Sequence, residues 1–397
     1  MSIAAVRSWV ACGVLWAAGS MMASACAPAE RTERVGQDRA GVFDCLTAGS
    51  YPVGFRVMRE LDTFRIALPP RAGFGRAVPI AVWYPSAPSD SPPMTLREYV
   101  IASEQTIVGG PIDDAAAIAA FVTEARTRGA ALDGIERLLN ARGLARRDAP
   151  PSARRFPLVM FAHASVDTQS VMAEYLASYG YVVAAVRSRG AQDVAYRLSR
   201  ENLDAMVADI DFAARRLQRE HFVAPDPIGV IGMSNGSIAA VALQLKRSDI
   251  GAVVSLDGGI GEDAGGIYLN ERSEQQPTKF TAPVLHLYST DNAHLNLSYL
   301  RAYQMSPRWL ISVRGMRHQD FLAYPAFDRI TDGFSGRDAT PDSTAGFTWT
   351  NRYVLHFLDA HLRHTRHGAS FIETPTAKQK GLPAGLLSLE HIASAQP

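Results

Sequence analysis

The chain has 397 residues, 47% of them hydrophobic and 20% charged, which is ample material for one large core. Its 40 Lys and Arg nearly balance 39 Asp and Glu, for a formal net charge of +1, so the composition points to no nucleic acid and no strongly charged partner. It shows no internal repeat and no long block of like charge.

The first segment reads as an export signal over residues 1–25. Arg7 precedes an apolar run from Trp9 to Ala18, and Ala23-Ser24-Ala25 forms an A-x-A-like cleavage site. Its removal takes away only Arg7 among the charged side chains and leaves a net charge of 0. The expected location is therefore periplasmic or secreted. Cys12 falls within the signal, leaving Cys26 and Cys45. They pair as a disulfide in an oxidising compartment, or Cys26 is a lipidated N-terminus that tethers the protein to a membrane. Ala23-Ser24-Ala25 resembles a bacterial lipobox without its usual leucine. No other segment reaches the roughly 18 consecutive apolar residues that a membrane-spanning helix needs.

Residues 26–49 read as a tether. Two strands are expected next, Phe64 to Leu68 and Val78 to Tyr84, with Gly73 and Gly75 marking an antiparallel turn between them. Pro85 to Pro93 is a proline-rich loop. It opens a helical insert over residues 92–150, before the third expected strand. In it Ile118, Phe121, Val122 and Ala125 repeat at helical spacing behind Asp113 and Asp114, and Leu132, Ile135, Leu138 and Leu139 make a second stripe. Such an insert is either a lid or a buttress.

From Phe156 onward, strand and helix alternate, which argues for a parallel sheet. Leu158 to Ala162, Tyr181 to Val186, Ile228 to Ile231, Ala252 to Leu256, Val284 to Tyr288 and Trp309 to Val313 read as strands. Helices are expected over Val171 to Tyr179, along the Leu203, Met206, Val207, Ile210 and Leu217 face, over Ser237 to Lys246 and over Thr348 to His364. The tail from 368 to 397 is weakly patterned.

Gly232-Met233-Ser234-Asn235-Gly236 lies between a strand and a helix, the signature of a nucleophile elbow. Gly232 and Gly236 leave room for strand and helix to close around a strained turn. Ser234 then projects its hydroxyl at a helix N-terminus, where oriented N–H donors stabilise negative charge. A serine hydroxyl needs a general base, and the base needs an orienting carboxylate. The chain order Ser, acid, His belongs to the α/β-hydrolase fold, a mostly parallel central sheet flanked by helices. His318, directly after the last strand, fits the base. His286 lies inside a strand, His221 precedes the elbow strand, and His356, His361, His364 and His367 lie on or after the last helix.

Asp257 and Asp291 both end strands and compete for the acid; the common α/β-hydrolase plan favours Asp291. The Asn235 N–H is one oxyanion donor, and the second is expected from His163-Ala164-Ser165. Arg187 and Arg189 follow another strand and face the same cleft, where they either bind an acidic substrate group or are solvated loop charges. His361, His364 and His367 recur every three residues, a step that drifts around a helix and does not converge on a metal. No metal or cofactor is implied, and no G-x-G-x-x-G follows a first strand.

Taken together, Phe156 to His163, Gly180 to Val186, the elbow, Leu256-Asp257 and Arg314-Gly315 through His318-Gln319-Asp320-Phe321 resemble the secreted (type II) platelet-activating-factor acetylhydrolases. They also resemble bacterial relatives described as dienelactone-hydrolase-like. Tyr51 to Phe55 and Ala81 to Pro85 are similar too, and the resemblance spans roughly residues 50–365. It implies a serine hydrolase of short-chain or lipid-derived esters, with Asp257 as the acid and the Ser165 N–H as the second oxyanion donor. The family usually carries glycine at the position of Ala164, so the backbone of that loop departs from its pattern. An amidase, peptidase or acyltransferase on the same triad, and a non-catalytic binding protein on the same fold, are the alternative functions.

Overall fold

The computed structural model describes residues 42, 43, 45–65, 75–108, 112–163, 165–192, 196–225, 227–273, 280–302, 306–331 and 333–394. The expected export signal, Cys26, Gly73 and Ala164 lie outside them.

A ten-stranded sheet organises the chain. Its centre is six parallel strands: β4 (Leu158–Ala162), β5 (Val182–Val186), β6 (Ile228–Met233), β7 (Ile250–Leu256), β8 (Val284–Ser289) and β9 (Arg308–Val313). Beyond β5 come β2 (Arg76–Pro85) and β1 (Val53–Asp62), each antiparallel to its predecessor, then the short β3 (Ala145–Arg147). Beyond β9 lies β10 (Leu387–Ile392), antiparallel. The full order is β10-β9-β8-β7-β6-β4-β5-β2-β1-β3. Near-continuous Val, Ile, Leu and Ala runs build the central strands because both faces of a parallel sheet are covered.

Alternate residues feed two cores. Val159, Phe161, Ile231 and Val254 face α4 (Val166–Ser178), α9 (Tyr324–Thr331), α10 (Pro341–Leu362) and α11 (Arg366–Glu373). Leu158, Met160, Val230 and Val253 face α5 (Arg200–Leu217), α6 (Gly236–Ala242), α7 (Asp263–Ser273) and α8 (Ser298–Ala302).

The insert holds α1 (Leu96–Val108), α2 (Asp114–Thr127) and α3 (Leu132–Asn140). Tyr99, Val100, Phe121, Ile135, Leu138 and Leu139 are all buried in the first core, so these helices pack their apolar faces onto it. Asp113 caps α2 by accepting N–H bonds from Ala115 and Ala116. Beneath the insert, the buried Glu174 carboxylate of α4 accepts the Leu144 N–H at 2.6 Å, the Ala145 N–H at 3.1 Å and the Tyr99 hydroxyl at 2.5 Å.

Three features depart from the sequence expectation. The first strand is Val53–Asp62 and not Phe64–Leu68: Phe64 lies in the turn after it, 97% exposed, and residues 66–68 are outside the described part. Arg56, Arg59 and Glu60 on this outer strand blur the alternation that marks a half-buried strand. Because β3 intervenes, the insert precedes the fourth strand in chain order. The tail is structured: β10 pairs with β9 from Leu387↔Val313 to Ile392↔Arg308, and Trp309 stacks on His391 at 4.4 Å.

Candidate active site

Sequence-predicted site residues gather at the carboxyl ends of β4, β5, β6, β7 and the loops after β8 and β9, where open α/β sheets bind ligands. Ser234 follows β6 with φ +53°, a left-handed conformation that serine adopts only under constraint. The constraint is visible on both sides. A Cβ at Gly232 would stand 2.4 Å from the Gly236 carbonyl carbon, and one at Gly236 would stand 2.3 Å from the Ala162 oxygen. Strand, turn and helix thus meet at distances that only glycine permits.

The elbow is bonded directly to the acid loop. The Ser234 N–H donates to the Leu256 carbonyl at 3.2 Å, and the Ser234 carbonyl accepts the Gly259 N–H at 3.0 Å and the Ser237 hydroxyl at 2.7 Å. Ser237 Oγ also accepts the Ile260 N–H at 3.3 Å.

Asp257 itself has φ +39° and is buried. Its Oδ2 lies 2.7 Å from His318 Nδ1, and its Oδ1 accepts the Ser289 N–H at 3.0 Å and the Asn292 amide at 3.3 Å. Burial pushes this carboxyl up, but the His318 hydrogen bond and charge and the Ser289 N–H outweigh it, so its pKa lies below the ordinary value. Asp291 stands apart. It is exposed, its N–H donates to Ser289 Oγ at 2.9 Å, and its carboxylate meets the Thr290 hydroxyl, not His318. Asp257 is the aspartate that the structure joins to His318.

His318 opens a short 3-10 turn after β9. Asp320 fixes that turn: it accepts the Arg317 N–H at 2.8 Å and pairs with the Arg337 guanidinium. The Ser289 hydroxyl donates to the Met316 carbonyl at 2.6 Å, and the Ala323 N–H donates to the Thr168 carbonyl at 3.0 Å, tying the turn to β8 and α4. An ionised carboxylate only accepts, so Nδ1 carries the proton and Nε2 offers its lone pair.

Asn235 begins the first turn of α6, where N–H groups lack intrahelical acceptors. Ser165 is the N-cap of α4, with φ −90° and ψ 153°. Its hydroxyl shares a hydrogen bond with Thr168 Oγ1 at 3.1 Å. His163, just ahead, has φ +58°; burial, with Arg187 and His318 nearby, pushes its pKa down to about 4, so it is neutral at pH 7.

The two arginines of the β5–α5 loop differ. Arg189 donates to the Ile107 carbonyl at 3.5 Å and to the Ala77 carbonyl, so it clamps the loop to α1 and β2. At these contacts its guanidinium is engaged with the backbone. Arg187 lies within electrostatic reach of His163. Sequence reasoning missed Arg76, buried at the start of β2. It forms a two-bond pair with Asp209 at 2.7 and 2.8 Å and donates to the Gly190 carbonyl at 3.0 Å, bracing the same loop. It also missed Ser237, Ser289 and Asn292, which carry no pattern of their own. His286 is buried in β8, 2.8 Å from Ser255 Oγ. His361 packs on Trp309 and His367 on His356, so the C-terminal histidines point to different neighbours.

Comparison with known proteins agrees with this architecture. The prolyl oligopeptidase family (Peptidase_S9) profile matches residues 167–260, from the first turn of α4 through the elbow to the acid loop. Among solved structures, a ferulic acid esterase from Streptomyces cinnamoneus superimposes with a TM-score of 0.60 at 22% identity, over 87% of this chain and 98% of that one. No curated protein matches. The chain has the α/β-hydrolase fold.

Proposed function

We propose that the protein is a serine hydrolase of carboxylic esters, acting through Ser234, His318 and Asp257. The observation that carries this reading is the 2.7 Å bond between Asp257 Oδ2 and His318 Nδ1, set beside a serine on a left-handed elbow. The partial match to a serine-peptidase family and the likeness to an esterase support a hydrolase.

In the proposed cycle, Ser234 Oγ attacks the ester carbonyl carbon and its proton passes to His318 Nε2. Asp257 stabilises the imidazolium without taking the proton. The Asn235 and Ser165 N–H groups bind the oxyanion. The tetrahedral intermediate collapses, the leaving alkoxide takes the proton from His318, and an acyl-serine remains. Water then attacks it with His318 again as base, releasing the acid and restoring Ser234.

Short-chain or lipid-derived esters are the proposed substrates, from the resemblance to secreted acetylhydrolases; the esterase neighbour adds hydroxycinnamate esters to the panel. A peptidase on the same residues is the second reading, favoured by the family match. Hydrolysis of p-nitrophenyl esters with acyl chains from two to sixteen carbons, of methyl ferulate and of a proline-containing peptide anilide separates these. Ester turnover that falls by at least about 10⁴-fold in Ser234→Ala supports the proposal. Turnover of the anilide alone overturns it.

A further inference from the structure

Two polar side chains lie inside the sheet directly behind the acid loop. Ser255 of β7 and His286 of β8 are level across the parallel pair, and Ser255 Oγ lies 2.8 Å from His286 Nδ1. They are 0% and 1% exposed, and every other residue from Ala252 to Leu256 and from Val284 to Leu287 is apolar and buried. A hydroxyl and an imidazole in that setting cost desolvation that Val or Leu would not. Burial pushes the His286 pKa down to about 4, so the pair is neutral at pH 7 and adds no charge within reach of the Asp257 carboxylate.

What the pair touches gives it a use. A Cβ at Gly258 would stand 2.2 Å from Ser255 Oγ and 2.3 Å from Ser237 Oγ, and one at Gly261 would stand 2.5 Å from His286 Nε2. The acid loop, Asp257 to Gly261, therefore lies in contact with a floor made of Ser237, Ser255 and His286. It is fastened there: the Ile260 N–H donates to Ser237 Oγ at 3.3 Å, and the Gly261 carbonyl accepts the Asn296 N–H at 2.7 Å. Asp257 leaves β7 by donating its N–H to Leu287, the neighbour of His286. A serine hydroxyl has three staggered positions. The bond to His286 selects the one that meets Gly258, and so limits the path the chain can take after Asp257.

We infer that His286 is a positioning residue for the proposed triad: by fixing Ser255 Oγ it sets the path of the acid loop and aims the Asp257 carboxylate at His318. The inference rests on the assignment of Ser234, His318 and Asp257 above and adds how the acid is held. The atom that acts is Nδ1, which meets Ser255; Nε2 packs against Gly261 and makes no hydrogen bond. His286 acts through Ser255 and Gly258 and does not itself meet the His318 ring, whose Nδ1 is bonded to Asp257.

The test uses the full chain with two readouts, p-nitrophenyl acetate kinetics and the proton NMR resonance of the Asp257–His318 bond. A proton held between a buried carboxylate and an imidazole resonates far downfield, and its loss in His318→Gln assigns it. Ser255→Ala deletes one oxygen and His286→Leu deletes the imidazole, so both break the pair. His286→Asn keeps a polar atom where Nδ1 stood. Ser255→Ala and His286→Leu are expected to lower kcat by about tenfold to 10²-fold with KM within about twofold, and to shift or abolish the resonance. His286→Asn is expected to keep the resonance and a kcat within about threefold of the parent, although it too loses packing against Gly261. That rescue separates positioning from a purely structural role. Where His286→Leu fails to fold, Ser255→Ala carries the test. A kcat within about threefold of the parent, or an unchanged resonance, in Ser255→Ala refutes the inference and leaves the esterase reading standing. His286→Asn as slow as His286→Leu also refutes it. If no ester is turned over, the esterase reading falls by itself and the resonance decides: displaced in Ser255→Ala it supports the inference, unchanged it overturns it.

Discussion

Asp257 is acceptor-only toward three donors: the His318 ring, the Ser289 N–H and the Asn292 amide. Exchanging one oxygen for an NH₂ group sets a donor against a donor and turns the imidazole to the wrong tautomer. Asp257→Asn is therefore expected to lower kcat by about 10⁴-fold, with Asp291→Asn within about twofold of the parent; p-nitrophenyl acetate hydrolysis at pH 8 distinguishes them. Equal losses would separate Asp257 from the chemistry. At this scale the sequence was legible where a pattern exists. Gly232 and Gly236 mark the elbow, and chain order marks His318. Local pattern left Asp257 and Asp291 open, because both end a strand in a loop and the choice depends on register; only the resemblance pointed to Asp257. Asp257 N–H bonds the Leu287 carbonyl at 2.7 Å and turns the side chain toward the β9 loop, a relation between strands that no local spacing encodes.

At the level of elements, Glu174 joins α4 to the return of the insert. Its carboxyl accepts from Leu144, Ala145 and Tyr99, yet burial pushes its pKa up to about 7 from an ordinary 4.5. The raised folded value fixes the sign. The associated stability is complete below about pH 4.5, where both folded and unfolded chains are protonated. It is lost as pH rises toward 7, because the unfolded chain ionises first. Urea unfolding should thus show stability falling by about 3 kcal/mol across that window, on top of other groups, and Glu174→Gln should flatten it. A Glu174→Gln profile parallel to the parent would remove Glu174 as the cause. Two of the insert's helices, α2 and α3, were legible from their apolar stripes, whereas α1 showed none, and its Tyr99 meets Glu174 across 75 residues that only folding brings together. The strand Val53–Asp62 escaped for a different reason. Beyond Phe55, where the three-residue β3 ends, its outer side has no strand partner among the described residues and tolerates Arg and Glu, so its apolar alternation is weak even though all ten residues pair with Arg76–Pro85.

For the whole molecule, the sheet separates two cores and the C-terminal segment closes one border. Deleting residues 366–397 removes α11 and β10, uncovers the edge of β9 and exposes Trp309, which now lies between His361 and His391. Phe371, Ile372, Leu386 and Leu387 leave the core with it. A loss on the order of 5 kcal/mol is expected from apolar burial alone, together with aggregation through the bared strand; chemical denaturation and light scattering measure both. The left-handed backbone at His163, Ser234 and Asp257 works in the opposite direction. All three sit where strands end at the proposed site, and each L-residue held there costs on the order of 1 kcal/mol that glycine would not. Ser234→Gly should therefore unfold at higher urea than Ser234→Ala, by about 1 kcal/mol, although neither can form an acyl-enzyme. Random mutation screened only for thermal resistance would drift toward glycine at that position and enrich protein that lacks the proposed nucleophile. Keeping serine there requires a screen that reads turnover.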